Sequence, residues 1–216
     1  MLSFVRQAVR DIRNTGAVLP SSPRLAQVMT RSLRQAKGPK RLLEVGPGTG
    51  PFTKQVLRAL RPGDEFHIVE LNAKFCEDLD RRLLRPFRHT HRDIHVELHC
   101  AAIEQAPLPG TFDYIVCGLP FNNFPSPLVR QIFRQMLGLL SPGGELVYFE
   151  YAGVRAMKGP LVGPRGRRRL KAISTFERSL SRRHSGDREL VLANVPPALA
   201  VRLRAPRDAA PTDAAR

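Results

Sequence analysis

The sequence is short of cysteine, of acidic side chains and of long apolar runs, and each shortage removes a class of protein. Its three cysteines, Cys76, Cys100 and Cys117, contain no CxxC pair and leave one thiol over in any disulfide scheme. That argues against a secreted disulfide scaffold and for a reducing, cytosolic compartment. No stretch approaches the roughly 18 consecutive apolar residues of a membrane span, so the chain is expected to lie on a bilayer at most. Pro 19 and Gly 16 are too few and too scattered for a fibrous or disordered polymer. With 42% hydrophobic and 25% charged residues, the 216-residue chain can build one α/β domain with one sizeable core, and is too short for two ordinary domains.

What is abundant is positive charge, and it is localised. Lys+Arg 35 against Asp+Glu 19 gives +16. Residues 1–41 carry nine basic side chains against Asp11 alone, whereas residues 42–150 carry eleven against thirteen acids. Residues 151–188 are basic again, eleven against two. A near-neutral middle flanked by two cationic segments suits docking to a polyanion: an anionic membrane, nucleic acid or an acidic protein. The plainer alternative is compositional drift towards Arg, which outnumbers Lys 29 to 6.

The first cationic segment has a pattern. At about 100° per residue, Leu2, Phe4, Val5, Ala8, Val9 and Ile12 fall on one half of a helical wheel and Arg6, Arg10 and Arg13 on the other. That is the layout of an interfacial helix, with apolar groups for the acyl boundary and cations for lipid phosphates. A helix packed on its own domain is the competing reading. The chain is expected to divide into an amphipathic helix over 1–14, a catalytic domain over 15–205 with a basic loop and helix inserted at 153–188, and a flexible tail over 206–216.

Between the flanks, strand and helix signals alternate. Helices are predicted over 24–36, 73–84 and 127–140, and strands over 41–45, 66–70, 94–100, 112–117, 145–150, 189–195 and 199–203. The cadence predicts an α/β Rossmann-like fold, a mostly parallel seven-stranded sheet with helices on both faces and ligand chemistry at the carboxyl ends of its strands. Gly46, Gly48 and Gly50 follow the first strand directly, where they let the backbone approach a ligand whose polar end meets the next helix. The spacing is GxGxG, with Glu44 two residues ahead; twenty residues beyond Gly50, Glu70 closes the second strand, where a carboxylate can accept from both ribose hydroxyls.

Leu43-Glu-Val-Gly-Pro-Gly-Thr-Gly50 and Glu70 resemble the first two motifs of the class I S-adenosylmethionine-dependent methyltransferases. The resemblance implies that Glu44, Gly46, Pro47, Gly48, Thr49 and Gly50 hold the methionine part of the cofactor. It places Glu70 and Leu71 at the ribose, and Ala102 and Ile103 beside the adenine. Gly118 joins the cofactor set, as do Ser21 and Ser22. Many members carry Asp at the third-strand position, where this chain has Cys100-Ala101-Ala102-Ile103. Gly118 also stands where amine-methylating relatives have a polar residue, which suits a flexible aliphatic amine better than a planar nucleobase.

Three further strings together look like the bacterial phosphatidylethanolamine N-methyltransferases of the membrane-associated type. They are Thr15-Gly-Ala-Val-Leu-Pro-Ser-Ser22, Gly118-Leu-Pro-Phe121 with Asn123-Phe-Pro125, and Asn194-Val-Pro-Pro-Ala198. That resemblance implies successive methyl transfer to a head-group nitrogen, giving phosphatidylcholine and S-adenosylhomocysteine, at an anionic phospholipid surface on the inner face of the cell membrane. Phe121 and Tyr151, backed by Phe124 and Tyr148, are candidates for an ammonium pocket through cation–π attraction, and Glu150 for the proton acceptor. Asn122 is placed at the substrate, and Arg165, Arg167, Arg168, Arg169 and Lys171 at its phosphate. The cysteines read as small buried residues. His89, His91, His95 and His99 show no closed ligand set, so no metal is expected, nor is nucleic acid; the chain is expected to be a monomer. Two other functions compete: an RNA adenine methyltransferase, which the charge would also suit, and a non-catalytic membrane-binding module of the same fold.

Overall fold

A computed structural model describes residues 21–152, 164–184 and 186–207. The helix assigned to residues 1–14, with Phe4, Val5, Arg6, Val9, Arg10, Ile12 and Arg13, lies outside the described residues, as do 153–163 and the tail from 208.

Helix α1 (Pro23–Met29) starts where Ser22 accepts the amide of Leu25 at 3.1 Å and Pro23 pre-sets the first turn. The single helix predicted to Ala36 is broken at Thr30, whose hydroxyl donates back to the Ala26 carbonyl at 2.8 Å; α2 (Arg31–Gln35) follows. Strand β1 (Arg41–Val45) leads into α3 (Pro51–Leu57), and β2 (Glu65–Val69) into α4 (Ala73–Leu79). A π-helical turn, Asp80–Leu84, carries the helix on into α5 (Arg85–Thr90), beyond the predicted end at 84; Pro86 sits in the first turn, where a missing N–H costs nothing. Then come β3 (His95–His99), β4 (Phe112–Cys117), α6 (Ser126–Gly138), β5 (Leu140–Tyr151), α7 (Pro164–Arg183), β6 (Asp187–Val191) and β7 (Ala198–Arg204).

The seven strands form one sheet in the order β3-β2-β1-β4-β5-β7-β6. The pairs among β1 to β5 are parallel, and β7 runs antiparallel to both β5 and β6, so the sheet is mixed. The order reverses at β1 and β4, which opens a crevice at their carboxyl ends. Helix α6 covers one face with Leu128, Val129, Ile132, Phe133 and Met136, the i, i+4 stripe its sequence spells. It packs there with Ile173 and Leu180 of α7. The other face buries Leu25, Val28 and Met29 of α1 with Phe52 and Val56 of α3 against Leu42, Phe66, Ile68 and Phe149. At the foot of the β1–β2 pair, buried Asp64 accepts from the buried Lys40 ammonium at 2.5 Å and from the Lys40 and Arg61 amides.

Candidate active site

At the end of β1 the chain turns through Gly46, Gly48 and Gly50 with φ of 69°, 57° and 83°, values that L side chains rarely adopt. The turn is tied down by Gly46 N–H to Val69 O at 2.9 Å and Gly50 N–H to Pro47 O at 3.0 Å, and Pro51 opens α3 beyond it. A methyl group on Gly48 would meet nothing within 4 Å, so the loop presents open backbone to the crevice. Thr49 is exposed and Pro47 buried. Gly118 approaches from β4: its amide donates to Val45 O at 2.8 Å, and a Cβ there would lie 2.5 Å from the Gly46 carbonyl oxygen. The glycine at 118 therefore has a packing cause that its sequence position did not reveal.

Two carboxylates flank this loop in different states. Glu70, 6% exposed, accepts from the Gly48 amide at 3.1 Å and from the Asn72 amide at 2.8 Å, so it already joins the β1 and β2 loops. Glu44 is completely buried and, among the described residues, neither of its oxygens meets a partner at full hydrogen-bond geometry, Thr53 being its polar neighbour. Burial raises its carboxyl from the ordinary 4.5 to about 8, an effect that neighbouring Thr53 only partly offsets. An orphaned buried carboxylate beside an open glycine turn fits a ligand that brings a cation of its own. Leu71 is half-buried beyond β2, and Ala102 and Ile103 are buried after β3, where His99 O accepts the Glu70 amide at 3.0 Å.

Ser21 and Ser22 sit before α1. The Ser22 hydroxyl is engaged in capping that helix and its amide donates to Asn194 Oδ1 at 2.8 Å, while Asn194 Nδ2 donates to Pro196 O at 2.7 Å. Two strings that stood far apart in sequence are thus one contact: the loop before α1 is pinned to the β6–β7 turn.

The aromatic pair predicted for the amine is not brought together. Phe121 is 2% exposed and packs on Phe133 at 4.6 Å between ring centres, with Phe124 at 6.3 Å and Tyr148 at 6.1 Å. Tyr151 lies across the sheet against Phe149, at 5.2 Å. Strand alternation explains this: Tyr148 and Glu150 point to one face and Tyr151 to the other. Tyr148 donates its hydroxyl to Glu150 Oε1 at 3.4 Å, and burial, followed by the Glu150 charge, holds its proton far above the ordinary tyrosine range. Glu150 also lies 3.9 Å from the Arg188 guanidinium. Asn122 is buried beside Phe121.

Of the loop and helix expected over 153–188, the helix is α7, and residues 164–170 with their basic run are its first turns. Since α7 follows β5 and its C-terminal end meets β7 through Arg204 N–H to His184 O, its N-terminal end stands at the carboxyl rim of the sheet. Arg168 and Lys171 are exposed there; the side chains of Arg165, Arg167 and Arg169 lie outside those described. Cys76 and Cys117 are buried as expected, with burial raising Cys117 to about 12, but Cys100 is exposed. A buried histidine that the sequence survey passed over, His67, stacks on His99.

The sheet order, the reversed last strand and the glycine turn are those of the class I S-adenosylmethionine-dependent methyltransferase fold. The comparisons agree. A family described as methyltransferase domain matches residues 42–144. An ornithine lipid N-methyltransferase of Singulisphaera acidiphila is 30% identical over 133 residues, 59% of this chain and 66% of that protein. A ubiquinone/menaquinone biosynthesis C-methyltransferase of Pseudomonas paraeruginosa is 27% identical over 130 residues, 60% of this chain and 48% of that one. The chain spans two thirds or less of each of these relatives. Among solved structures, an O-methyltransferase from Bacillus cereus with S-adenosylhomocysteine superposes with TM-score 0.59 at 14% identity, covering 93% of this chain and 90% of that one. The N-methyltransferase NodS from Bradyrhizobium japonicum, also with S-adenosylhomocysteine, gives 0.54 at 18% identity over 85% and 84% of the two chains. At those identities the likeness is one of fold.

Proposed function

We propose that this chain methylates the head-group amine of a phospholipid, phosphatidylethanolamine in the first instance, in successive steps at an anionic membrane surface. The observation that carries the lipid amine is the similarity to an ornithine lipid N-methyltransferase across most of the catalytic domain. In this reading Glu44 receives the α-ammonium of the cofactor, the Gly46–Gly50 turn lies along its methionine part, and Glu70 exchanges its amide contacts for ribose hydroxyls. Leu71, Ala102 and Ile103 flank the adenine. The bound cofactor supplies an electrophilic methyl group on a sulfonium sulfur. The chain's own task is alignment, which can replace many kcal/mol of barrier, together with removal of a proton, because an ammonium has no lone pair. Glu150 accepts that proton, held in place by the Tyr148 hydroxyl; the C–N bond then forms as the C–S bond breaks, with its electrons left on sulfur. Phe121, on the Glu150 face of the sheet, supports the amine pocket, and Tyr151, which points to the opposite face, takes no part in it. Asn122 borders the substrate, and Arg168 and Lys171, with the neighbouring arginines of α7, meet its phosphate.

The membrane side of the proposal rests on the carboxyl rim. Leu192 and Val195 are each 72% exposed and Leu190 53%, all on β6 or the turn after it, which is hydrogen-bonded to Ser22 ahead of α1. Exposed apolar groups on a chain of net charge +16 suit an anionic bilayer. No helix among the described residues is long and apolar enough to cross one.

The test is methyl transfer from labelled S-adenosylmethionine to vesicles of phosphatidylethanolamine with phosphatidylglycerol, to vesicles carrying ornithine lipid, and to ribosomal RNA. Label in phosphatidylethanolamine supports the proposal. Label in ornithine lipid alone would keep the lipid amine and change the head group, and label in RNA alone would overturn both.

A further inference from the structure

We propose that His67, Glu97 and His99 form a binding site for a divalent transition-metal ion, zinc being the best match, which clips the edge strand β3 to β2. The parallel register sets His67 opposite Glu97 and Val69 opposite His99, so the three side chains share one face of the two strands. His67 Nδ1 lies 3.1 Å from His99 Nε2 and 3.6 Å from a Glu97 carboxylate oxygen, and one ligand atom from each residue falls within 4.8 Å of the others. Ligands about 2.0–2.1 Å from a tetrahedral zinc are about 3.3 Å apart, close to the two shorter separations already present. The donor set, two imidazoles and one carboxylate, is that of an open zinc site with a position left for water.

The surroundings fit an ion as well. His67 and His99 are 1% and 6% exposed, so their rings are fixed by packing, while the Glu97 side chain is 48% exposed and leaves a path from solvent. With Nδ1 on the metal, Nε2 of His67 would face Glu65, whose carboxylate is 3.9 Å away; that buried nitrogen has no hydrogen-bond partner otherwise. A carboxylate behind a ligating imidazole fixes its tautomer and raises its basicity. His95 Nε2, 3.5 Å from Glu97, is placed to take the fourth position or to hold the water. Burial, and then the neighbouring His99, hold His67 below the ordinary histidine range, so its ring is neutral and ready to ligate. The consequence is mechanical. β3 is the outermost strand on its side, and the His99 carbonyl that accepts the Glu70 amide belongs to the same residue as the proposed ligand.

Zinc titration of the full chain, freed of metal and read by competition with a chromogenic chelator, tests this. One ion per chain is expected, with a rise in thermal midpoint of a few degrees on loading. Glu97→Gln, at an exposed position, should fold, bind S-adenosylhomocysteine as the parent does, bind zinc on the order of tenfold more weakly or worse, and lose the thermal shift. His99→Gln should do the same where it folds. Cobalt in place of zinc should give a tetrahedral spectrum without a thiolate charge-transfer band. Absence of saturable binding by the parent chain, unchanged binding by Glu97→Gln, or a thiolate band moving the ion to Cys76 and Cys100 would each overturn the site.

Discussion

In the proposed function the cofactor site turns on Glu44. Its carboxyl keeps a proton up to about pH 8 in the folded chain, against 4.5 for an ordinary side chain. The folded state therefore binds more protons across that window. The stabilisation from this group is complete below about pH 4.5 and is lost as pH rises through 8, at up to about 1.4 kcal/mol per pH unit. Urea midpoints measured across this range should fall more steeply for the parent chain than for Glu44→Gln. Binding of a cationic ligand should reverse the preference and expel the proton. Calorimetry of S-adenosylhomocysteine at pH 7 is thus expected to give enthalpies that depend on the buffer's ionisation heat, a dependence missing in Glu44→Gln, whose affinity should be about tenfold lower or worse. Gly118 makes a second test. Gly118→Ala would push a methyl against the Gly46 carbonyl, so it should cost roughly 1–3 kcal/mol of stability and weaken cofactor binding, read by chemical denaturation and by the same calorimetry.

Among the elements, the β6–β7 turn both pins the loop before α1 and carries the exposed apolar side chains of the proposed membrane contact. Asn194 is 2% exposed and holds both Ser22 and Pro196, so Asn194→Ala should lower stability by about 1–3 kcal/mol. Leu192→Asp with Val195→Asp, both on exposed side chains, should leave the thermal midpoint and cofactor affinity nearly unchanged while reducing co-sedimentation with anionic vesicles severalfold; unchanged sedimentation would remove this turn from the membrane contact. Much of this level could be read in the sequence, because caps, prolines, glycine turns and apolar stripes are local signals: β4 runs from Phe112 to Cys117 as predicted, and α6 is displaced by a residue or two. The break at Thr30 comes from a local back-bonded hydroxyl. The rest of what escaped depended on contacts distant in the chain: Gly118 owes its identity to the carbonyl of Gly46. His67 meets His99 only through strand register. The separation of Phe121 from Tyr151 was legible in principle, since a period of two along β5 sends Tyr148 and Tyr151 to opposite faces.

On the scale of the molecule, the central residues 42–150, of nearly balanced charge, carry the glycine turn and its crevice, and the start of α7 stands at the same carboxyl rim. The arginine run on the first turns of α7 and the apolar turn after β6 lie along the same rim as the Gly46–Gly50 loop. In the proposed function, that rim is where a soluble cofactor and a bilayer amine meet. The fold class was visible from two short motifs because the glycine loop is built from consecutive residues, whereas the proposed substrate side draws on β4, β5, α7 and the last turn, and no single string spells it. The most direct measurement is the lipid mass spectrum of a bacterium that makes phosphatidylethanolamine but no phosphatidylcholine, expressing either this chain or its Glu44→Gln variant. The parent should yield phosphatidylethanolamine bearing one, two and three added methyl groups, and the variant should yield far less. An unaltered lipid profile from an expressed, folded chain that binds S-adenosylhomocysteine would contradict the assignment.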